Sequence, residues 1–124
     1  MTHVVGYCLI NDVSEREFQM ERSQVWDKGK GFDTFGPIGP WLVTADEIGN
    51  TKTRIFDAAT IVSYCSMLMT LEPGDITIMG TPPAVGLGKK PNPVFLKPGD
   101  VMTLGIEKRG EPKQTVMKFK MAKA

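Results

Sequence analysis

The chain has 124 residues, 41% apolar and 23% charged, with a formal charge of +1, the profile of one ordinary domain able to build a modest core without staples. No basic run or stripe is present for nucleic acid to bind, and the longest apolar run is far too short to span a membrane. The start of the sequence lacks a secretion pattern, and Cys8 and Cys65 lie in apolar runs without metal or redox spacing, so both read as reduced core thiols of a cytoplasmic protein.

Residues 3–10 form a nearly continuous apolar run, which predicts a buried strand. His3, the only histidine, reads as a surface residue at the frayed start of that strand rather than as a general base. Asn11-Asp12 ends the run. Ser14 to Glu17 then fits the capping box S-x-x-E, which predicts a helix through about Gln24. Asp12 therefore stands at a strand-to-helix junction, where its carboxylate either points into a cleft toward a cation or bonds its own backbone as a turn residue. Arg16 and Gln19, three positions apart, share one face of that helix.

Residues 26–41, W-D-K-G-K-G-F-D-T-F-G-P-I-G-P-W, combine glycines and prolines in a way that reads as a loop and not a helix. Lys30 lies between Gly29 and Gly31, with Phe32 and Phe35 to anchor the segment. Its ammonium is either brought close to a bound anion by the permissive backbone or solvated on a flexible loop. Residues 41–43 read as a short strand and 45–50 as polar punctuation. Asp57 is placed to cap a helix over residues 58 to about 69, with Ile61, Tyr64, Cys65 and Leu68 as its core stripe.

Pro73-Gly74 predicts a tight turn into a strand at 76–79, which opens onto the glycine-rich residues 80–88. That loop lacks the Gly-Lys-Ser/Thr ending of a phosphate-binding loop, so nucleotide binding is rejected, while Thr81 still offers a hydroxyl to a ligand. A second turn at Pro98-Gly99-Asp100 leads to a strand at 101–107, and Gly110 returns the chain through 115–120. The whole reads as five or six strands with two helices, a mixed fold dominated by sheet.

Three motifs now stand in order: N-D-V-S-E-R-E-F-Q from Asn11, the 26–41 segment, and P-G-D-I-T-I-M-G-T-P-P-A-V-G from Pro73. Their order and spacing resemble the carboxy-terminal catalytic domain of the fumarylacetoacetate hydrolase family. The bacterial branch of 2-oxo-3-deoxy sugar acid hydrolases and 2-hydroxyhepta-2,4-diene-1,7-dioate isomerases is the most similar. The resemblance implies mixed β structure with few helices, a β-roll incomplete relative to the family, over a single partial domain at residues 1–124. It implies homodimers, a small 2-oxo acid as ligand, and Mg2+ or Mn2+ chelating that acid's carbonyl and carboxylate so that a metal-stabilised enolate can form. By the same resemblance Asp12 is a metal ligand, Thr34 belongs to the metal region, Lys30 is catalytic and helps to hold the anion, and Arg16, Gln19 and Thr81 face the substrate.

Three departures from the family pattern accompany the likeness. The upstream Glu-x-Glu that supplies two metal ligands is absent, as is the upstream histidine and glutamate pair that acts on water. Glu15 and Glu17 have the right spacing, yet on the predicted helix they read as one exposed and one capping carboxylate. A deletion falls around residues 48–51. Two functions follow. One is a divalent-metal-dependent hydrolase, isomerase or decarboxylase acting on a 2-oxo acid, its missing ligands supplied by another chain or an unusual local arrangement. The other is a shortened, non-catalytic, dimeric module that binds a small acid. In the first, Asp12 faces Lys30 across a gap sized for a chelated ion.

Overall fold

A computed structural model describes residues 2–22, 24–49, 57–81 and 85–120. Strand β1 (Gly6–Tyr7) pairs antiparallel with β2 (Val43–Thr44), in the register Gly6 to Thr44 and Tyr7 to Val43. The pairing resumes at Ile10 opposite Ile38, where the Gly39 N–H donates to the Leu9 carbonyl and the Asn11 N–H to the Pro37 carbonyl. Between the two paired stretches one side spends residues 8–9 and the other spends 39–42. The longer side thus carries two extra residues, as in a bulge, and includes Pro40, which has no N–H to give a ladder. The predicted strand at 3–10 is thus real in course but regular only over Gly6–Tyr7.

The second ribbon joins β3 (Val101–Thr103) to β4 (Lys113–Thr115), antiparallel, with Met102 opposite Gln114. Its tip packs under the Pro40 bulge: a side chain at Gly110, where φ is +76°, would meet Pro40 Cγ at 2.6 Å and the Trp41 ring at 2.9 Å. The predicted strand at 76–79 has no ladder partner among the described residues. The result is a mixed, β-containing chain with four short strands in two small sheets among the described residues, fewer than the five or six expected.

Five helical segments among the described residues replace the expected two, one of them a single 3-10 turn at Gly86–Gly88. A wide π-helical turn runs over Glu17–Arg22, followed by α1 (Trp26–Lys30), α2 (Ala45–Ile48) and α3 (Ala58–Leu68). Two of these correct the sequence reading. Trp26–Lys30 is helical because the first proline comes only at 37, Asp27 sits in its first turn and Lys28 and Lys30 in its last, matching the helix dipole. Residues 45–48, read as punctuation, close one helical turn after Thr44.

Helix α3 begins where the sequence placed it, with the Asp57 side chain accepting from the Thr60 N–H at 2.8 Å. Its stripe is not core, however: Tyr64 and Leu68 are 60% and 66% exposed, and no other described helix or strand packs on it. Among the described residues the buried apolar side chains are Leu9, Val43 and Ala58, a small core beside many exposed large apolar residues. Cys8 and Cys65 are free and half-buried, short of the core placement expected. Among the described residues, no helix is long and apolar enough to cross a membrane.

Candidate functional site

The site gathers where the strand-like segment ending at Asp12 meets α1. Lys30 Nζ donates to Asp12 Oδ1 at 2.5 Å and to Ser14 Oγ at 3.1 Å. The two charged side chains are 29% and 28% exposed, so their attraction is screened less than that of a surface pair. Direct contact replaces the expected ion-sized gap: with cation and carboxylate this close, no chelated ion fits between them in this arrangement. Lysine carries three N–H donors, and with two engaged the third has no partner among the described residues and remains for an incoming oxygen.

Behind this pair, Arg16 Nη1 donates to Gln19 Oε1 at 2.6 Å, so the predicted shared face is real. Gln19 is 1% exposed and its Nε2 has no hydrogen-bond partner among the described residues. The capping box is not formed. Ser14 serves Lys30 instead, and the Glu15 carboxylate accepts from the Phe18 N–H at 2.6 Å. Glu17 pairs with Arg22 on the surface at 2.6 Å. One capping and one exposed carboxylate is the outcome foreseen, with the two roles exchanged.

Phe32 anchors the segment after α1, its ring 5.4 Å from those of both Phe18 and Phe35 and 6.3 Å from that of Phe119. Thr34 is exposed and left-handed, φ +68°, in the turn closed by the Phe35 N–H on the Phe32 carbonyl. Thr81 is exposed as well, and neither threonine makes a side-chain hydrogen bond among the described residues. The structure therefore joins Asp12 to Lys30 and Arg16 to Gln19, and shows no hydrogen bond from Thr34 or Thr81 to any of the four among the described residues. Residues 82–84 of the G-T-P-P-A-V-G loop and residues 50–56 after the expected deletion lie outside the described residues.

Sequence reasoning missed Ser14 and Asn11. Positions 12 and 14 on an extended chain face the same way, and that period of two was the available signal for Ser14. Asn11 Nδ2 donates to Gln114 Oε1 at 2.8 Å and approaches Met102 Sδ at 3.4 Å, so the second ribbon pins the residue next to Asp12. A contact across 103 positions leaves no local signal.

Among the described residues no three His, Cys, Asp or Glu side chains come together in a way that could hold a metal ion. All of the chain's aspartates and glutamates are among them. A divalent ion such as Mg2+ prefers about six oxygens and gives up its waters reluctantly. Asp12 alone, already paired with Lys30, does not fit that demand.

The sequence model described as Fumarylacetoacetate (FAA) hydrolase C-terminal matches residues 1–54 and 47–117. The two matches overlap at 47–54, around the place of the expected deletion. A protein of Burkholderia cenocepacia (strain HI2424) is 54% identical over 133 residues, covering 92% of this chain and 47% of its own length. One from Burkholderia ambifaria (strain MC40-6) is 53% identical over 134 residues, covering 93% and 48%. Both carry the name "Putative hydrolase". The chain spans about half the length of the curated relatives it matches, and the matched stretch of 133 exceeds its own 124 residues, so these relatives hold residues inside the matched region that it lacks. With nearly all of its length matched by the family's sequence model, the chain belongs to the fumarylacetoacetate hydrolase C-terminal family.

Proposed function

We propose that this chain is a partial catalytic domain of a hydrolase-type enzyme that binds a small 2-oxo acid at Lys30 and Arg16. The observation that carries this is the convergence of Asp12 and Ser14 on Lys30, which leaves one of its ammonium donors uncommitted among the described residues, while Gln19 holds the Arg16 guanidinium. Breaking or shifting a bond next to a ketone places negative charge on the ketone oxygen. A fixed ammonium in a partly water-excluded site stabilises that charge without reorganising. Asp12 and Ser14 fix the ammonium, Lys30 meets the oxygen, and Arg16, oriented by Gln19, takes the acid's carboxylate. Cleavage, isomerisation and decarboxylation all pass through such an enolate. Mg2+ or Mn2+ would add Lewis-acid polarisation, but the donor set described above does not fit either ion, and no step is assigned to it.

The expected roll and homodimer belong to the same proposal. The accessible surface is 10173 Å², whereas a compact monomer of this mass exposes about 6,600 Å². The excess of about 3,600 Å² is larger than the roughly 1,000–2,500 Å² that each partner of an obligate interface buries, so a dimer contact of that class would cover only part of it. A cytoplasmic setting agrees with the two free cysteines.

Oxalate, which mimics the enolate of a 2-oxo acid, tests the site by calorimetry with and without Mg2+. Binding is expected to weaken at least about tenfold, or 1.4 kcal/mol, in Lys30→Ala. Wild-type protein that binds no oxalate under either condition sinks the reading. Oxalate binding without turnover of any 2-oxo acid selects the non-catalytic module instead. Light scattering on the same samples is expected to show a dimer or larger, and a well-behaved monomer counts against the oligomer.

A further inference from the structure

We infer that Gly29 is the positioning residue of the site: its missing side chain lets α1 lie flush on the Glu17–Arg22 turn and so sets the Lys30 ammonium against Asp12 and Ser14. The inference deepens the proposed function by naming what holds its cation. Gly29 is buried, and its carbonyl accepts the Glu15 N–H at 2.8 Å, so α1 is joined by backbone to the chain just before the Glu17–Arg22 turn. A Cβ built on Gly29 would stand 2.4 Å from Gln19 Cβ, 2.7 Å from the Glu15 carbonyl oxygen and 3.0 Å from Gln19 Cα. None of those atoms can move by a change of rotamer, since each is backbone or bonded directly to it.

The π-helical turn has little room to retreat. Gln19 on it is 1% exposed, and the neighbouring Phe18 ring lies 5.4 Å from Phe32. Any side chain at 29 must therefore lift α1, and Lys30 is the next residue. Its contacts of 2.5 and 3.1 Å do not survive a displacement of about an ångström, because hydrogen bonds weaken steeply beyond their normal range.

Gly31, on the other side of Lys30, does no comparable work. It is exposed, its φ of −91° suits any residue, and a Cβ there would meet only the Asp27 carbonyl at 3.1 Å. The two glycines flanking the lysine look alike in sequence, but one is buried inside α1 and the other is exposed at its C-terminal cap.

Competitive acetylation with limiting reagent, read by mass spectrometry, tests this on the full chain with Lys28 as the internal reference on the same helix. In the wild type Lys30 is expected to label several-fold more slowly than Lys28, and Asp12→Asn should remove that protection. Gly29→Ala is expected to bring Lys30 to the rate of Lys28 and to speed hydrogen exchange at the Glu15 amide, while Gly31→Ala leaves both as in the wild type. A folded Gly29→Ala protein with Lys30 still protected overturns the inference, and so does equal release in Gly31→Ala. If Gly29→Ala alone loses its circular dichroism, it is repeated with Gln19→Gly, which removes the Cβ in its way. Recovery of the fold with Lys30 protected supports the inference, and no recovery overturns it. The labelling uses neither acid nor metal, so failure of oxalate binding and failure of this test are separate results.

Discussion

Two turns share the core Pro-Gly-Asp and the same hydrogen bonds, yet they lead to different ends. In the first, the Asp75 carboxylate accepts from the Glu72 N–H at 2.8 Å and the Asp75 N–H donates back to the Glu72 carbonyl at 3.1 Å. In the second, Asp100 does the same with Lys97, at 2.7 and 2.9 Å. Gly74 and Gly99 even match in backbone angle, φ +104° and +98°. After Asp100 the chain enters β3 and pairs with β4; after Asp75 it runs extended without a ladder partner among the described residues, with Ile76 and Ile78 59% and 48% exposed. A turn is a local object that four residues can specify, whereas a strand needs a second strand.

The largest expected effect separates the two glycines. Alanine at either position is forced into a backbone region that costs about 1–2 kcal/mol. At Gly99 that strain should spread, because the Gly99 N–H bonds the Val116 carbonyl and the Val116 N–H bonds the Asp100 carbonyl, both at 2.8 Å. Gly99→Ala is therefore expected to strip hydrogen-exchange protection from β3 and β4, and Gly74→Ala to affect only its own turn. Equal spreading from the two sites would show that residues 76–79 have a partner after all.

A somewhat smaller effect links the second ribbon to the site. Gln114→Ala removes the acceptor for Asn11 Nδ2, worth about 1 kcal/mol. Exchange should quicken at Asn11 and at Val13, whose N–H bonds the Asn11 carbonyl at 2.8 Å, with no change over residues 57–81. An unaltered Asn11 amide would mean that the ribbon does not hold the Asp12 segment.

This contrast also marks how far the sequence could be read. Devices contained in a few consecutive residues were legible: the Asp57 cap, both Pro-Gly-Asp turns, and the shared face of Arg16 and Gln19. The helix at Trp26–Lys30 was not, because the cost of a helical glycine is visible in sequence while the close packing that offsets it is not. Ser14 looked like a cap because local chemistry offered it that role, and a lysine 16 positions away took it instead. Tyr64 and Leu68 show the opposite failure: the helical period marked an apolar face correctly, but a period cannot say whether this chain covers that face. For the site, the resemblance set Asp12 facing Lys30 across an ion-sized gap, and the structure brings the two into direct contact instead.

The smallest effect sharpens the comparison from outside both turns, at Asp57. Here a carboxylate caps a helix that no other described element supports, so the loss of the cap has nothing to hide behind. Its hydrogen bond from the Thr60 N–H holds the Asp57 carboxyl below the ordinary value of 3.8. A carboxyl group with a lowered pKa in the folded state stabilises that state fully above 3.8, and loses the contribution as pH falls through the lowered value. Acidification from roughly pH 5 to 2 should accordingly fray the first turn of α3, seen as faster exchange of the Thr60 amide, and added salt should blunt the change because the group is exposed. Asp57→Asn keeps an oxygen for the cap but no charge to titrate, so its α3 should fray no further on acidification. Equal acid sensitivity in the two proteins would place the titrating group elsewhere in the chain.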